Sequence, residues 1–263
     1  MNILICIKQV PNSTDIKVDP KTNSLIRDGI ESVINPLDKN ALEMGLQLKE
    51  EHGGKVSVIT MGPPQAKSAL KECYAMGADE MILVTDRAFG GADTLATSYT
   101  LSALIRQLNE FDVILCGQHS SDGDTAQVGP EIAEHLGMAQ ITSVVDAKID
   151  DFGKVIAQRK QKDRYEIIET KLPILMTVMK VNEPRYPNIM RKKQADKVEI
   201  QTYKADNISN LNVTKIGLSG SPTEVTDSFI PQVTSKGIKI EAENTFLAVE
   251  ELVKHLQNAG IKL

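Results

Sequence analysis

The residues with the best claim to chemistry sit in one loop, QHSSDGDTAQVGP, running from Gln118 to Pro130. It lies between an apolar run that ends at Cys116 and a helical pattern that reaches about Leu136. Asp124 with Gln127 fits a capping box, whereas Gly129-Pro130 would suit a later helix start. In either case backbone N–H groups converge on a helix N-terminus, which attracts phosphate. Gly123, Thr125 and Ala126 carry little bulk and leave the approach open. Asp122 and Asp124 would repel an anion if they pointed inward, so they are expected to cap backbone or to face outward. The spacing is neither GxGxxG nor a P-loop, and an ordinary capped loop would look the same. His119 could meet a phosphate or ribose, or simply be a solvated loop histidine.

The rest of the chain offers no obvious nucleophile. No Ser/His/Asp or Cys/His arrangement can be read from spacing, and no carboxylate pair stands out for acid–base work. Three cysteines (Cys6, Cys73, Cys116) without CxxC spacing argue against disulfides, zinc and iron–sulfur ligation. The histidines are scattered, so metal chemistry has little support. A place to hold a nucleotide without a nucleophile leaves the hard chemistry to a cofactor.

The elements that must position this loop follow from composition and pattern. The 263 residues are 41% hydrophobic and 25% charged, enough apolar content to exclude bulk disorder. A net charge of −5, with Arg191-Lys192-Lys193 the one basic run, argues against nucleic acid. No segment approaches the ~18 apolar residues of a membrane span, so no membrane insertion and a cytoplasmic or similarly reducing location are expected. Asn2–Val10, Lys55–Met61, Glu80–Val84 and Phe111–Cys116 read as buried strands. Helical patterns follow each of them, opened at Asn35-Pro36 (Asn as N-cap), Pro64, Ala92 and the loop above. Pro11–Ile30 reads as a loop or β-ribbon excursion. Four β-α repeats imply an α/β, doubly wound, Rossmann-like parallel sheet with ligands beyond the carboxyl ends of its strands. Val144–Ile149, Lys154–Lys160, Tyr165–Leu172 and Ile174–Lys180 are expected as antiparallel strands added at an edge. The division expected is 1–202 for the nucleotide-binding domain and 203–263 for an arm plus helix. Tyr203–Gly237 lacks periodic apolar content and Glu243–Gly260 is an amphipathic helix, which suits either a clasp on a partner or a self-packed tail.

Four segments carry a resemblance: CIKQVPNST at Cys6–Thr14, NPLDKNALE at Asn35–Glu43, the loop from Gly117 to Gly129, and KLPILMTVMKVNEPRYPNIMRKK at Lys171–Lys193. Along nearly its whole length the chain resembles the β subunit of electron transfer flavoprotein. That resemblance implies an adenine nucleotide alpha hydrolase-like fold in an obligate heterodimer with an α subunit, whose FAD domain the arm would clasp. It places cofactor contacts on Cys6 (backbone), Asn35, Pro36, Leu37, Asp38, Met61, Gly117, Gln118, Ser121, Asp122, Gly123, Asp124, Thr125, Ala126, Gln127 and Val128. It also implies a docking segment for acyl-CoA dehydrogenases at Val181, Asn182, Glu183, Pro184, Arg185, Tyr186, Ile189 and Met190, with Val181 as apolar anchor. Ordinary members hold structural AMP. The small residues of this phosphate loop, and the segment Asp86–Thr97, look instead like the flavin-bifurcating group, adding Asp93, Thr94 and Thr97 to the set. In that group the β-bound nucleotide is FAD. NADH gives it a hydride, and the electrons part toward ferredoxin or flavodoxin and, through the α-subunit FAD, an acyl-CoA dehydrogenase. Such activity belongs to the heterodimer only. Arg191–Lys193 would then steer an acidic partner such as ferredoxin. The readings that compete are a non-bifurcating β subunit with AMP and, remotely, a stand-alone adenine-nucleotide-binding stress-type protein.

Overall fold

The computed structural model describes residues 1–12, 17–18, 25–26, 32–108, 110–180, 183–226 and 237–261. Strand β1 (Asn2–Cys6) is apolar on both faces, with Ile3, Leu4 and Ile5 fully buried, as an interior parallel strand must be. After a short ribbon in which β2 (Gln9–Pro11), β3 (Lys17–Val18), β4 (Leu25–Ile26) and β5 (Ser32–Ile34) pair as β2–β5 and β3–β4, the β-α repeat begins. It runs α1 (Pro36–His52), β6 (Lys55–Met61), α2 (Lys67–Met76), β7 (Glu80–Val84), α3 (Thr94–Gln107), β8 (Val113–Gly117) and α4 (Val128–Leu136). The strand expected over Asn2–Val10 is therefore two: the chain leaves the sheet after Cys6, and Gln9–Pro11 joins the ribbon.

Then come β9 (Ala139–Ile149), β10 (Lys154–Lys160), β11 (Tyr165–Lys171), β12 (Ile174–Val178), α5 (Ile189–Gln194), β13 (Ile200–Tyr203) and α6 (Thr245–Asn258). Nine strands form one sheet in the order β11-β10-β9-β12-β8-β1-β6-β7-β13, parallel from β9 to β13. Two apolar layers cover it. Leu42, Leu46 and Leu70 from α1 and α2 meet Ile3 and Ile5 on one face. Leu104 and Ile132 from α3 and α4 meet Leu4 and Ile114 on the other.

The antiparallel additions are β10, which pairs with the second half of β9, and β11, which pairs with β10 at the sheet edge. Ile174–Lys180 does not join them. It is β12, a parallel strand between β8 and β9, and all five of its residues are buried. The continuous apolar run ILMTV is the mark of burial on both faces, unlike the alternating exposure along β11. Ala139–Ile149 changes partners along its length, parallel to β12 up to Val144 and antiparallel to β10 beyond it. The edge strand β13 was not expected, because Ile-Gln-Thr-Tyr shows little apolar signal.

Met1–Thr226 forms one compact unit and Asp227–Leu263 another. Residues 203–226, expected in the arm, thus belong to the first unit. Ile208 and Ile216 supply too few apolar residues for a periodic signal, yet both are buried in the α3/α4 layer. In the second unit Asn244 caps α6 by accepting the Leu247 N–H at 3.0 Å. Phe246, Leu247, Val249 and Leu252 are exposed along that helix. Among the described residues no helix is long and apolar enough to cross a membrane, and no cluster of potential ligands could hold a metal.

Candidate functional site

Strand order reverses at β1. The chain moves from β1 to β6 on one side, then returns after β7 to place β8 on the other. The crevice beyond the carboxyl ends of β1 and β8 is the topological switch point, where doubly wound sheets take their ligands. One buried carboxylate knits this crevice. Asp38, in the first turn of α1, accepts the Lys8 N–H at 2.7 Å, the Gly117 N–H at 3.0 Å and the Asn35 Nδ2 at 3.0 Å. Burial pushes its pKa up to about 7, against the opposing pull of these three donors. Gly117 is required here, because a Cβ would stand 2.2 Å from Asp38 Oδ1.

Asn35 occupies the N-cap position of α1 but does not cap its own helix. Its Nδ2 donates to the His119 carbonyl at 2.9 Å and its Oδ1 accepts the Ser121 N–H at 3.1 Å. The residue ahead of the first helix thereby holds this loop in place. Helix α4 begins at Val128 with no side-chain cap, so Pro130 falls in its first turn and the Asp124/Gln127 capping box does not form. Asp124 and Ala126 instead take positive φ values of 50° and 54°, a conformation that non-glycine residues hold only where the surroundings impose it.

Residues 123–127 are exposed, and both acidic side chains are engaged. Asp122 pairs with Lys8 Nζ at 2.7 Å, and Asp124 Oδ1 lies 2.6 Å from His119 Nδ1. Burial works against ionisation of Asp122, but the Lys8 ammonium outweighs it and holds the carboxyl below its usual range. A Cβ on Gly123 would stand 3.3 Å from the Ser120 hydroxyl and 3.9 Å from Lys8 Nζ, so only the ends of two side chains, and no backbone, bound the space beside it.

Cys6 and Cys116 are register partners on β1 and β8 beneath this loop. A hydrogen bond to Cys6, then burial, pushes the Cys116 thiol up, which keeps it an unreactive packing group. Met61 ends β6, half-buried against the α3/α4 layer. The third-strand loop differs. Asp93 caps α3 through Ala96 N–H at 3.0 Å and also accepts the Thr223 hydroxyl at 2.8 Å. Ser221 accepts the Asp93 N–H at 2.8 Å. Thr94 Oγ1 lies 3.1 Å from Glu131 Oε1 and 3.3 Å from Gln127 Oε1, joining this loop to the start of α4. The Thr97 N–H donates to the Asp93 carbonyl at 3.0 Å. Glu131 Oε2 is buried without a hydrogen-bond partner. Lys8 and Glu131 were missed by sequence reasoning; Lys8 lies within CIKQVPNST, but its lysine gave no sign of reaching Asp122.

In the segment read as a docking site, Val181 and Asn182 lie outside the described residues. Glu183 is exposed, near Lys180 Nζ at 3.5 Å. Arg185 turns inward to α1, where Nε and Nη2 fork onto Glu43 at 2.8 and 2.9 Å. Pro184 is half-buried, while Tyr186, Ile189 and Met190 are 92%, 72% and 64% exposed.

A doubly wound parallel sheet with an exposed loop at its switch point defines an α/β protein of Rossmann-like arrangement. The sequence profile of the electron transfer flavoprotein domain matches residues 22–207. The chain is 49% identical over 243 residues to the electron transfer flavoprotein subunit beta of Clostridium acetobutylicum, covering 92% of each. It is 47% identical over 263 residues to that of Thermoanaerobacterium thermosaccharolyticum, covering 99% of this chain and all of the relative. It is 46% identical over 263 residues, with the same coverage, to the caffeyl-CoA reductase-Etf complex subunit CarD of Acetobacterium woodii. The chain belongs to the electron transfer flavoprotein β-subunit family.

Proposed function

We propose that this chain pairs with an electron transfer flavoprotein α subunit and holds FAD across the switch-point crevice. The observation that carries this reading is the exposed loop around Gly123, kept open by Asn35 and Asp38 and bounded at Gly123 by side-chain ends rather than backbone. Its backbone N–H groups suit a diphosphate, Lys8 would exchange Asp122 for it, and Asp124 is drawn aside by His119. Glu131 Oε2 offers an acceptor to a ligand hydroxyl or N–H. FAD held by the loop around Gly123, Lys8, Asn35 and Asp38 would supply the redox chemistry, namely hydride acceptance from NADH and one-electron donation toward ferredoxin or flavodoxin and the α-subunit FAD. The chain's own task is to bind and orient that cofactor. The segment 183–190 docks an acyl-CoA dehydrogenase, a reading supported by a relative named for a complex with caffeyl-CoA reductase. The unit Asp227–Leu263, with the exposed apolar residues of α6, clasps the α subunit.

A second reading, structural AMP, is favoured by the third-strand loop. Ser221 and Thr223 already occupy Asp93, where a flavin ring would need a wall. FAD and AMP released from the denatured αβ heterodimer decide between them. Two FAD and no AMP per heterodimer support bifurcation. One of each returns this chain to a structural role.

A further inference from the structure

The segment 185–191 is fastened at both ends to the helices of one sheet face. At its start the Arg185 backbone N–H and guanidinium both reach Glu43, which Gln47 Nε2 also holds at 3.0 Å. The same guanidinium bonds Glu50, two turns further along α1, with Nη2 to Oε2 at 3.2 Å. Burial works against ionisation of Glu43, but the Arg185 contacts outweigh it and hold the carboxyl below its usual range. At the other end Asn188 N–H donates to the Ala75 carbonyl at 2.8 Å, and Arg191 Nε to the Tyr74 carbonyl at 2.7 Å. The Arg191 guanidinium also lies 4.2 Å over the Tyr74 ring. Between these fastenings stand Tyr186, Ile189 and Met190, large side chains that are mostly exposed. An exposed apolar group on a stiff mount binds more tightly than one on a loose loop, because little ordering entropy is lost on docking. Only a planar, multidentate cation can span two carboxylates in this way.

We propose that Arg185 is a positioning residue. By forking onto Glu43 and reaching Glu50, it holds Tyr186, Ile189 and Met190 in the arrangement that an acyl-CoA dehydrogenase engages, without touching that partner itself. The inference rests on the docking role given above to residues 183–190.

The test uses the αβ heterodimer with a purified acyl-CoA dehydrogenase as varied partner, in wild type, R185M, R185K and Y186A. The expected result for R185M is a KM for the partner raised about tenfold with kcat held within about twofold, together with faster amide exchange over residues 185–190. R185K keeps the charge but loses the fork, and raises KM several-fold; it carries the test if R185M does not assemble. Faster exchange in R185M and R185K with KM unchanged, while Y186A raises KM, overturns the positioning role and leaves the docking reading standing. A fall in kcat at saturating partner would also overturn it, by giving Arg185 a part in electron transfer. If Y186A too leaves KM unchanged, the docking reading fails and the positioning role falls with it.

Discussion

Two loops leave the carboxyl edge of the same sheet, and they are built in opposite ways. The β8–α4 loop, Gln118–Gln127, is held by Asn35 ahead of α1, with Asp38 of α1 fixing Gly117 at its root, and its residues 121 and 123–127 are exposed. The β7–α3 loop, residues 85–93, is closed on itself: Asp86 accepts the Ala88 N–H, Asp93 caps α3, and residues 217–223 pack over both. The first loop spends the protein's polar groups on keeping backbone available, the second on satisfying its own backbone. The difference follows from place, since only the first lies where strand order reverses.

The largest test of that contrast removes the two anchoring carboxylates in turn. Asp38→Ala strands three donors, two of them backbone, and is expected to destabilise the αβ heterodimer by roughly 3–5 kcal/mol in urea unfolding. Asp93→Ala loses one helix cap and an exposed Thr223 contact, and about 1 kcal/mol is expected. Equal losses would mean that the loops are held alike. Asn35→Ala comes next, at roughly 2 kcal/mol. Exchange of the Ser121 amide should quicken by at least an order of magnitude while that of Ala96 stays as it was. An unchanged Ser121 amide would show that the loop holds itself.

Acid and base should act on the two carboxylates with opposite sign. Asp38 has a folded pKa raised to about 7, above the unfolded 3.8. Its contribution is therefore fully present below 3.8 and is lost as pH rises through about 7. Between pH 5 and 7 wild-type stability should carry a downward slope worth roughly 2 kcal/mol that is absent from Asp38→Asn. Burial works against ionisation of Asp93, but the Ala96 and Thr223 donors outweigh it and keep the carboxyl below its usual range. Its contribution is present above about 3.8 and is lost only as pH falls through its folded value. Asp93→Asn should accordingly leave the slope between pH 5 and 7 intact. A slope that survives Asp38→Asn assigns the titration elsewhere.

These contrasts mark what could be read from the chain. Lys55–Met61 and Glu80–Val84 were legible to the residue, because strands buried on both faces are continuous apolar runs bounded by polar residues. Ile174–Val178 carries the same signature, but the alternating strands just before it in the chain mask its place in the interior. The loop at Gln118–Gln127 was visible as open and small. What holds it was not, because Asn-Pro before a helix reads identically whether the asparagine caps that helix or reaches a carbonyl 84 residues away. Glu43 and Arg185, 142 residues apart, were likewise illegible as a pair. Charged side chains on a helix and in a loop each look solvated until topology brings them together.

Lys8 gives the smallest expected effect and the sharpest reading of the open loop. Its ammonium meets Asp122 at 2.7 Å and the Ser120 hydroxyl at 3.4 Å, yet half of its side chain is exposed. Exposed ion pairs contribute about 0–1 kcal/mol and are screened by salt. Lys8→Met should therefore lower the unfolding free energy of nucleotide-free heterodimer by less than about 1 kcal/mol, and the loss should shrink further in roughly 0.5 M salt. With nucleotide bound, the same substitution should cost more, because phosphate replaces Asp122 as the partner of a cation now shielded from water. If the loss is as small with nucleotide as without it, Lys8 merely tethers Asp122, and the phosphate is held by backbone alone. If the nucleotide-free loss rivals that of Asn35→Ala, Lys8 is a third external brace on the loop and the contrast with residues 85–93 deepens.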